Sequence, residues 1–295
     1  MPNDKTRPAR RKSRPRGPQN VRTAVPSDGL FCARWKAHTR DKLYTLGYYL
    51  EEFTGAMARK FPNLVYVDLF AGPGRGKFEN GSIMEGSPLI AARTIPSFTK
   101  MIFVEASPKR IAVLKKRLAA EFPAQNFSFV SDNCNAAIDR ILSEIPPYTK
   151  TAGALTFCFV DPFGLDVHFS TIRKFKDLWI DFLILIADQM AGARDKTLKQ
   201  PTNLTIDRFL DDPRWRDRWP KAEASGEKFR DFLLDGFTAN MKRLGFKAGE
   251  PLRIKVQGKG VMLYRLAFFS KSDRGIQFWE NARRNAPTQR LLELS

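Results

Sequence analysis

Apolar and polar positions change period several times along the chain, and the order of those changes predicts alternating strands and helices. In "HTRDKLYTLGYYLEEFTGAMARKF", Leu43, Leu46, Leu50, Phe53 and Met57 fall at helical spacing, so an amphipathic helix leads into the first strand, "LVYVDLF" at 64–70. "EGSPLIAARTI" then reads as a helix with Ser87 as its cap and Pro88 in its first turn. A second strand, "KMIFVEAS" at 100–107, precedes the helix "SPKRIAVLKKRLAAEF", where Ser107 caps, Pro108 opens the helix and Ile111, Leu114 and Leu118 form the buried stripe. The alternation continues with strand "FSFVS" at 127–131, helix "AAIDRILSEI", strand "ALTFCFVDPFG" at 154–164, and the apolar strand in "DLWIDFLILIADQM", which reaches Asp188.

Near-continuous apolar strands alternating five times with helices require a parallel sheet covered on both faces, a doubly wound α/β domain. From 189 to 227 the periodicity gives way to a polar, basic stretch containing "PRWRDRWP", expected to be an insertion of short helices and loops after the fifth strand. "FRDFLLDGFTANMKRLGF" resumes as a helix. "PLRIKVQGKGVMLYRLAFFSK" reads as two strands joined by the turn "QGKG", and "DRGIQFWENARRN" closes the chain as a helix. The expected whole is a seven-stranded, Rossmann-like sheet whose last strand pair is a hairpin.

The 295 residues and 43% hydrophobic content suffice for a substantial core. Charge changes the picture more: 50 basic against 31 acidic residues give +19, which calls for a polyanionic partner such as DNA or RNA. Residues 1–27 carry +7 of this, leaving +12 on the rest. With four prolines in its first 20 residues and little that is apolar, the segment 1–30 is expected to be a disordered basic tail. A nucleic-acid arm and a solubilising leader fit it equally; residues 31–295 would form the domain. Three cysteines without a C-x-x-C pair and two histidines offer neither a disulfide framework nor a metal site, and a reducing, cytoplasmic setting is expected. No apolar run approaches the ~20 residues of a membrane helix, and the start lacks the apolar centre of a secretory signal.

In an open parallel sheet, ligands bind beyond the carboxyl ends of the strands. Four strands end in an acid: Asp68 before "FAGPG", Glu105 in "FVEAS", Asp132 in "VSDNCN" and Asp161 in "FVDPFG". Taken singly, each could be a helix cap. Together they would line one edge, where Gly72 and Gly74 let the backbone approach a ligand, Glu105 accepts two ribose hydroxyls and Asp132 takes an adenine amino group. That describes a nucleoside-bearing cofactor. A dinucleotide is disfavoured, because Glu105 lies 31 residues past Gly74 and the loop "GRGKFENGSIMEG" delays the helix.

"DLFAGPG", "FVEAS", "SDNCN" and "DPFG", in this order, resemble the successive motifs of class I S-adenosylmethionine-dependent methyltransferases. The phrasing "DLFAGPG…GSPLIA…VEAS…FVDPFG", with the late "YRLAFFSKSDRG", further resembles the three-Cys-motif partner proteins over about residues 36–280. The resemblance implies S-adenosylmethionine as cofactor. Asp68, Gly72 and Gly74 would lie around its methionine part, Glu105 on its ribose and Asp132 near its adenine, with Phe70, Ala71, Ala106 and Asn133 flanking them in the same motifs. It also implies a protein partner of the three-Cys-motif type, so an adaptor that keeps the fold without turnover stands as the alternative to an enzyme.

Enzymes of this class that methylate base amino groups place an acid, a proline and an aromatic ring after the fourth strand, here Asp161, Pro162 and Phe163. The lone pair of an aryl amine is delocalised, so the Asp161 carboxylate and the Pro162 carbonyl would accept its protons as nitrogen attacks the methyl group. Phe163 would stack on the base, or else be an ordinary buried aromatic. "DPFG" lacks the second proline of the commonest adenine pattern, which leaves the base open. His168 and Asp166 could shuttle a proton or merely neighbour a helix start. "RWRDRW" could contact phosphates and bases or be a solvated helix face packed on its tryptophans. His38 or Lys42 could reach the cofactor's carboxylate.

Overall fold

The computed structural model describes residues 17–147, 153–187, 196–255 and 262–286. In chain order the elements are β1 (Ala33–Arg34), α1 (Thr39–Met57), β2 (Asn63–Asp68), β3 (Arg75–Lys77), β4 (Ile83–Glu85), α2 (Ser87–Arg93), β5 (Lys100–Val104), α3 (Pro108–Glu121), β6 (Phe127–Val130) and α4 (Ile138–Ser143). There follow β7 (Ala154–Val160), α5 (Phe169–Arg173), β8 (Ile180–Ile186), a 3-10 turn (Lys196–Lys199), α6 (Thr205–Leu210), α7 (Trp215–Ala224), α8 (Phe229–Arg243), β9 (Lys247–Ala248), β10 (Leu252–Lys255), β11 (Met262–Ser270) and α9 (Asp273–Asn285).

The main sheet runs β6-β5-β2-β7-β8-β11-β10, parallel from β6 to β8, with β11 antiparallel to β8 and to β10. This is the expected doubly wound sheet closed by an antiparallel pair. The two-residue β9 also pairs with β11, so the edge is built in two pieces. Every residue of β7 and β8 is buried, because helices cover both faces. Alternation sorts the side chains. Leu155, Phe157 and Phe159 pack with α1, α2, α3 and α9 on one face, while Cys158 and Val160 pack with α4, α5, α6, α7 and α8 on the other. No helix among the described residues is long and apolar enough to cross a membrane. The turn "QGKG", Asp188 and residues 189–195 of the expected insertion lie outside the described residues, as do residues 1–16.

Three expectations change, and one open alternative is decided. First, the domain begins before residue 31. The buried Asn20 side chain donates to the Gly47 carbonyl (3.2 Å) and to Thr94 Oγ1 (2.9 Å), Val25 N donates to the Ile83 carbonyl, and Glu85 N donates to the Arg22 carbonyl. Composition favoured a tail here because no apolar period marks such a segment; the bonds that fix it to the domain are with distant residues. Second, "GRGKFENGSIMEG" is not simply a loop: β3 and β4 form a hairpin, and β1 joins β3 in parallel as a three-stranded sheet. Strands of two or three residues are too short to show a period. Third, Gly86 rather than Ser87 caps α2, and the Ser87 hydroxyl instead bonds the Asp68 carboxylate. Fourth, Trp215 and Trp219 are 1% and 7% exposed and pack on Phe229 and Phe232, while Arg216 and Arg218 pair with Asp207 and Asp212. "RWRDRW" is therefore a packed helix face and offers no stacking platform.

One buried cation binds residues 28–32 to the loop after β2. Arg117, on α3, has a side chain 1% exposed. It donates to both Asp28 oxygens (2.6 and 3.0 Å), to the Pro73 carbonyl (2.6 Å) and to the carbonyls of Phe31 and Leu30. Arg75 also meets Asp28, and reaches Glu121 and Glu85; Arg93 chelates Glu85 and meets Glu121. Three guanidiniums thus face three carboxylates. The Arg117 bond holds the Asp28 carboxyl down at about 2. The contribution of this carboxylate is present above the unfolded range near pH 4 and is lost as pH falls through about 2.

Removing one partner of such a pair leaves buried charge and orphaned carbonyls. Arg117→Ala should cost roughly 3 kcal/mol in urea denaturation at pH 7, and Arg117→Lys should not restore it because an ammonium cannot serve this fork of acceptors. A loss under about 0.5 kcal/mol, the size of an ordinary surface change, would contradict the assignment.

Candidate functional site

The parallel register sets the heights of the strand-end acids. Asp68 lies opposite Phe103 of β5 and Phe159 of β7, so Glu105 and Asp161 each follow two residues later on the neighbouring strands. All three belong by alternation to the α1–α3 face. Their contacts agree: Glu105 bonds the loop after β2, and Asp161 bonds a lysine of α1. Asp132, two residues beyond Val130, stands apart at the exposed rim, where it accepts the amide of Asn133 (2.7 Å). The four acids foreseen on one edge are thus three together and one beside them.

Asp68 is fully buried and accepts from Tyr66 Oη (3.1 Å), the amide of Phe70 (3.2 Å) and Ser87. Burial outweighs these bonds and raises its carboxyl to about 7. Its role is to fix the loop from inside. Glu105, 8% exposed, accepts the amide of Gly72 on one oxygen (3.0 Å) and that of Ser107 on the other (2.8 Å). Each oxygen keeps a lone pair for a further donor. Ala71 is buried, and its amide bonds the Val104 carbonyl (2.9 Å), which ties the loop to β5. Phe70 is half-buried against the opposite core; Ala106 and Asn133 are exposed.

The two loop glycines prove to be different. Gly72 has φ +61° and nothing within 4 Å of where a Cβ would stand, so its backbone faces open space. Gly74 has φ +84°, but an added Cβ would meet Leu89 Cδ1 at 2.5 Å and Leu114 Cδ1 at 2.8 Å. Gly74 is therefore a packing glycine, and the expectation that it faces a ligand is corrected: α2 and α3 fill that space.

On the neighbouring edge Asp161 is bound by Lys42 Nζ at 2.5 Å, with side chains 20% and 11% exposed. The Lys42 ammonium also lies 5.7 Å from the centre of the Tyr264 ring, and Tyr264 Oη donates to the His38 carbonyl (3.3 Å). Lys42 thus has a partner in the protein. The His38 ring packs edge-on against Tyr264, and burial, with Lys42 beside it, lowers its pKa. Pro162 is buried, whereas Phe163 is 75% exposed with the Arg110 guanidinium 5.5 Å from its ring centre, which excludes an ordinary buried aromatic. His168 is the N-cap residue of α5, with no cap bond from its side chain; its amide donates to Asn135 Oδ1 (2.9 Å) and burial lowers its pKa. Asp166 is exposed, and its carbonyl accepts from Asn135 Nδ2 (2.8 Å).

Lys42, Tyr264 and Arg110 complete the edge. Lys42 was legible in part, since it falls four residues before Leu46 on the buried stripe of α1. Tyr264 and Arg110 carry no local signal for these contacts. The arrangement offers an open backbone at Gly72 next to an ionisable acceptor at Glu105. Beside these lie a lysine-paired carboxylate and an exposed aromatic ring.

No family model matches the chain, and no curated protein matches it. Among solved structures it is similar to a protein of Legionella pneumophila strain Philadelphia 1 (TM-score 0.49, 10% identity, covering 83% of this chain and 92% of that one). It is also similar to the TYW2 protein of P. horikoshii in complex with MeSAdo (0.38, 14%, 86% and 72%), and to an rRNA methylase of Streptococcus thermophilus (0.38, 11%, 76% and 92%). At such identities and scores these likenesses lend no argument about activity.

The glycines are separable by stability. Gly72→Ala should cost about 1–2 kcal/mol for its left-handed backbone alone, and Gly74→Ala about 1–3 kcal/mol more for overpacking; equal urea midpoints would refute the difference. Asp68 gives a pH signature. A carboxyl raised in the fold makes stability fall as pH climbs from about 4 to about 7. Asp68→Asn should therefore flatten that stretch of the stability profile, and an unchanged slope would show that Asp68 is ionised throughout.

Proposed function

We propose that the protein is an S-adenosylmethionine-dependent methyltransferase that modifies an amino group of a nucleic-acid base. The observation that carries this reading is the side-by-side position of Gly72 and Glu105 with Asp161 and Phe163 on one sheet edge. The residues fit the cofactor: nothing stands over the Gly72 backbone, and Glu105 keeps acceptor capacity for ribose hydroxyls after its two amide bonds. When bound, the cofactor would supply an electrophilic methyl group.

The chain's own residues would do the rest. Phe163 would stack on a base drawn out of its helix, a role that needs the exposure it has. The Asp161 carboxylate and Pro162 carbonyl would accept the amino protons and orient the nitrogen lone pair. Lys42, bonded to it at 2.5 Å, would keep the Asp161 carboxylate aimed. Asp132, at the rim, would meet the adenine edge. The same Lys42–Asp161 bond is the specific observation favouring the second reading, an adaptor for a three-Cys-motif partner, because the acceptor carboxylate is already engaged.

Calorimetric titration should detect S-adenosylmethionine or its demethylated product, and Glu105→Ala should weaken it by roughly 30-fold or more, the loss of a charged bidentate contact. Asp161→Ala should keep cofactor affinity while abolishing transfer of labelled methyl to fractionated nucleic acid. No heat at millimolar ligand would sink the enzyme reading; binding without transfer in the parent protein would favour the adaptor.

A further inference from the structure

The hairpin β3–β4 and the segment 24–36 enclose a cleft of about 1060 Å³, whose lining includes neither Glu105 nor Asp161. Its chemistry follows from the register of the small sheet. Ala33 lies opposite Gly76 and Arg34 opposite Lys77, so Ala33, Gly76 and, by alternation, Trp35 share one face while Arg34 and Lys77 share the other. Trp35 obeys this: its ring lies across Gly76, with Cδ2 1.9 Å from where a Cβ would be, and its amide continues the ladder to the Lys77 carbonyl. Arg34, Lys36 and Lys77 are exposed and line the cleft together with Ile83.

Like charges in register on adjacent strands destabilise a sheet unless something compensates them. Among the described residues none of these three cations has a carboxylate within ion-pairing distance, and Glu79 is the one acid lining the cleft. The neighbouring network of Arg75, Arg93 and Arg117 is by contrast matched with Asp28, Glu85 and Glu121. The cleft therefore carries three cations that the protein itself does not neutralise. The start of α1 touches both the cleft wall and the Asp161 edge. Arg40, in the first turn of α1, donates to Ser82 Oγ on the cleft wall (3.4 Å) and lies 4.6 Å over the Phe78 ring, while Lys42, two residues on, holds Asp161.

We propose that this cleft holds the sugar–phosphate backbone of a single-stranded nucleic acid and thereby delivers the flanking base to the Asp161–Phe163 edge. The inference rests on the methyltransferase reading and names its substrate track. A strand is favoured over a small anion because the cations are spaced along an extended segment, Arg34 and Lys36 being about 7 Å apart at ~3.3 Å per residue. The volume also stands at the top of the ~300–1,000 Å³ range of small-molecule sites. A single strand is favoured over a duplex because exposed Phe163 stacks on an unpaired base, which a single strand presents without the full cost of unpairing a duplex.

The test is fluorescence anisotropy of a labelled single-stranded oligonucleotide on the full chain without cofactor. Arg34→Glu with Lys77→Glu should weaken binding at least tenfold. The milder pair Arg34→Gln with Lys77→Gln should lower the salt slope by about 1.4, or ~0.7 per charge removed. Lys242→Gln with Arg243→Gln, which removes equal charge from the end of α8, should leave affinity unchanged. Equal weakening by both glutamine pairs would reduce the effect to net charge and overturn the proposal. So would unchanged binding in the glutamate pair, or displacement of the oligonucleotide by polyglutamate as readily as by unlabelled strand. Because cofactor titration is read separately, the cleft can fail while the cofactor site stands, and the reverse.

Discussion

The bond from Arg117 to Asp28 and Pro73 is the constraint on which both candidate surfaces depend. A guanidinium can be buried only if its donors are met, and those of Arg117 are met from two directions: by segment 28–32 on one side and the Gly loop on the other. The loop that carries Gly72 and the segment leading to the strand of Arg34 are thus tied together by one side chain on α3. Arg75, Glu121, Glu85 and Arg93 extend the network to β4 and α2, so paired charges as well as the buried Phe78 and Met84 anchor the small sheet to the main one.

The same balance explains what the excess of basic residues means. Around Arg117 the charges are matched and serve structure, and in α7 the arginines are consumed by aspartates. Lys42 is held by Asp161. Arg34, Lys36 and Lys77 have no such partner among the described residues, and all three line the 24–36 cleft.

On the sheet edge, burial and exposure divide the work. Asp68 is wholly enclosed and shapes the loop from beneath, Glu105 bridges the loop to the next strand while keeping spare lone pairs, and Phe163 is left in solvent. Gly74, although in the same motif as Gly72, serves the contact between the loop and the leucines of α2 and α3. A motif of closely spaced glycines therefore combines one position for access and one for packing.

The sequence alone determined the parallel strands, most of their helices and the acids at the strand ends, because apolar periodicity and turn residues are properties of short stretches. It also carried the cap at Ser107, which the structure reproduces, and a trace of Lys42 on the apolar stripe of α1. Tertiary structure decided that residues 17–30 pack, that β1, β3 and β4 exist, that Gly74 is enclosed, and that Lys42 meets Asp161 across 119 residues of chain. Each of these depends on a partner distant in sequence, and two- or three-residue strands or single side chains have no period of their own to announce it.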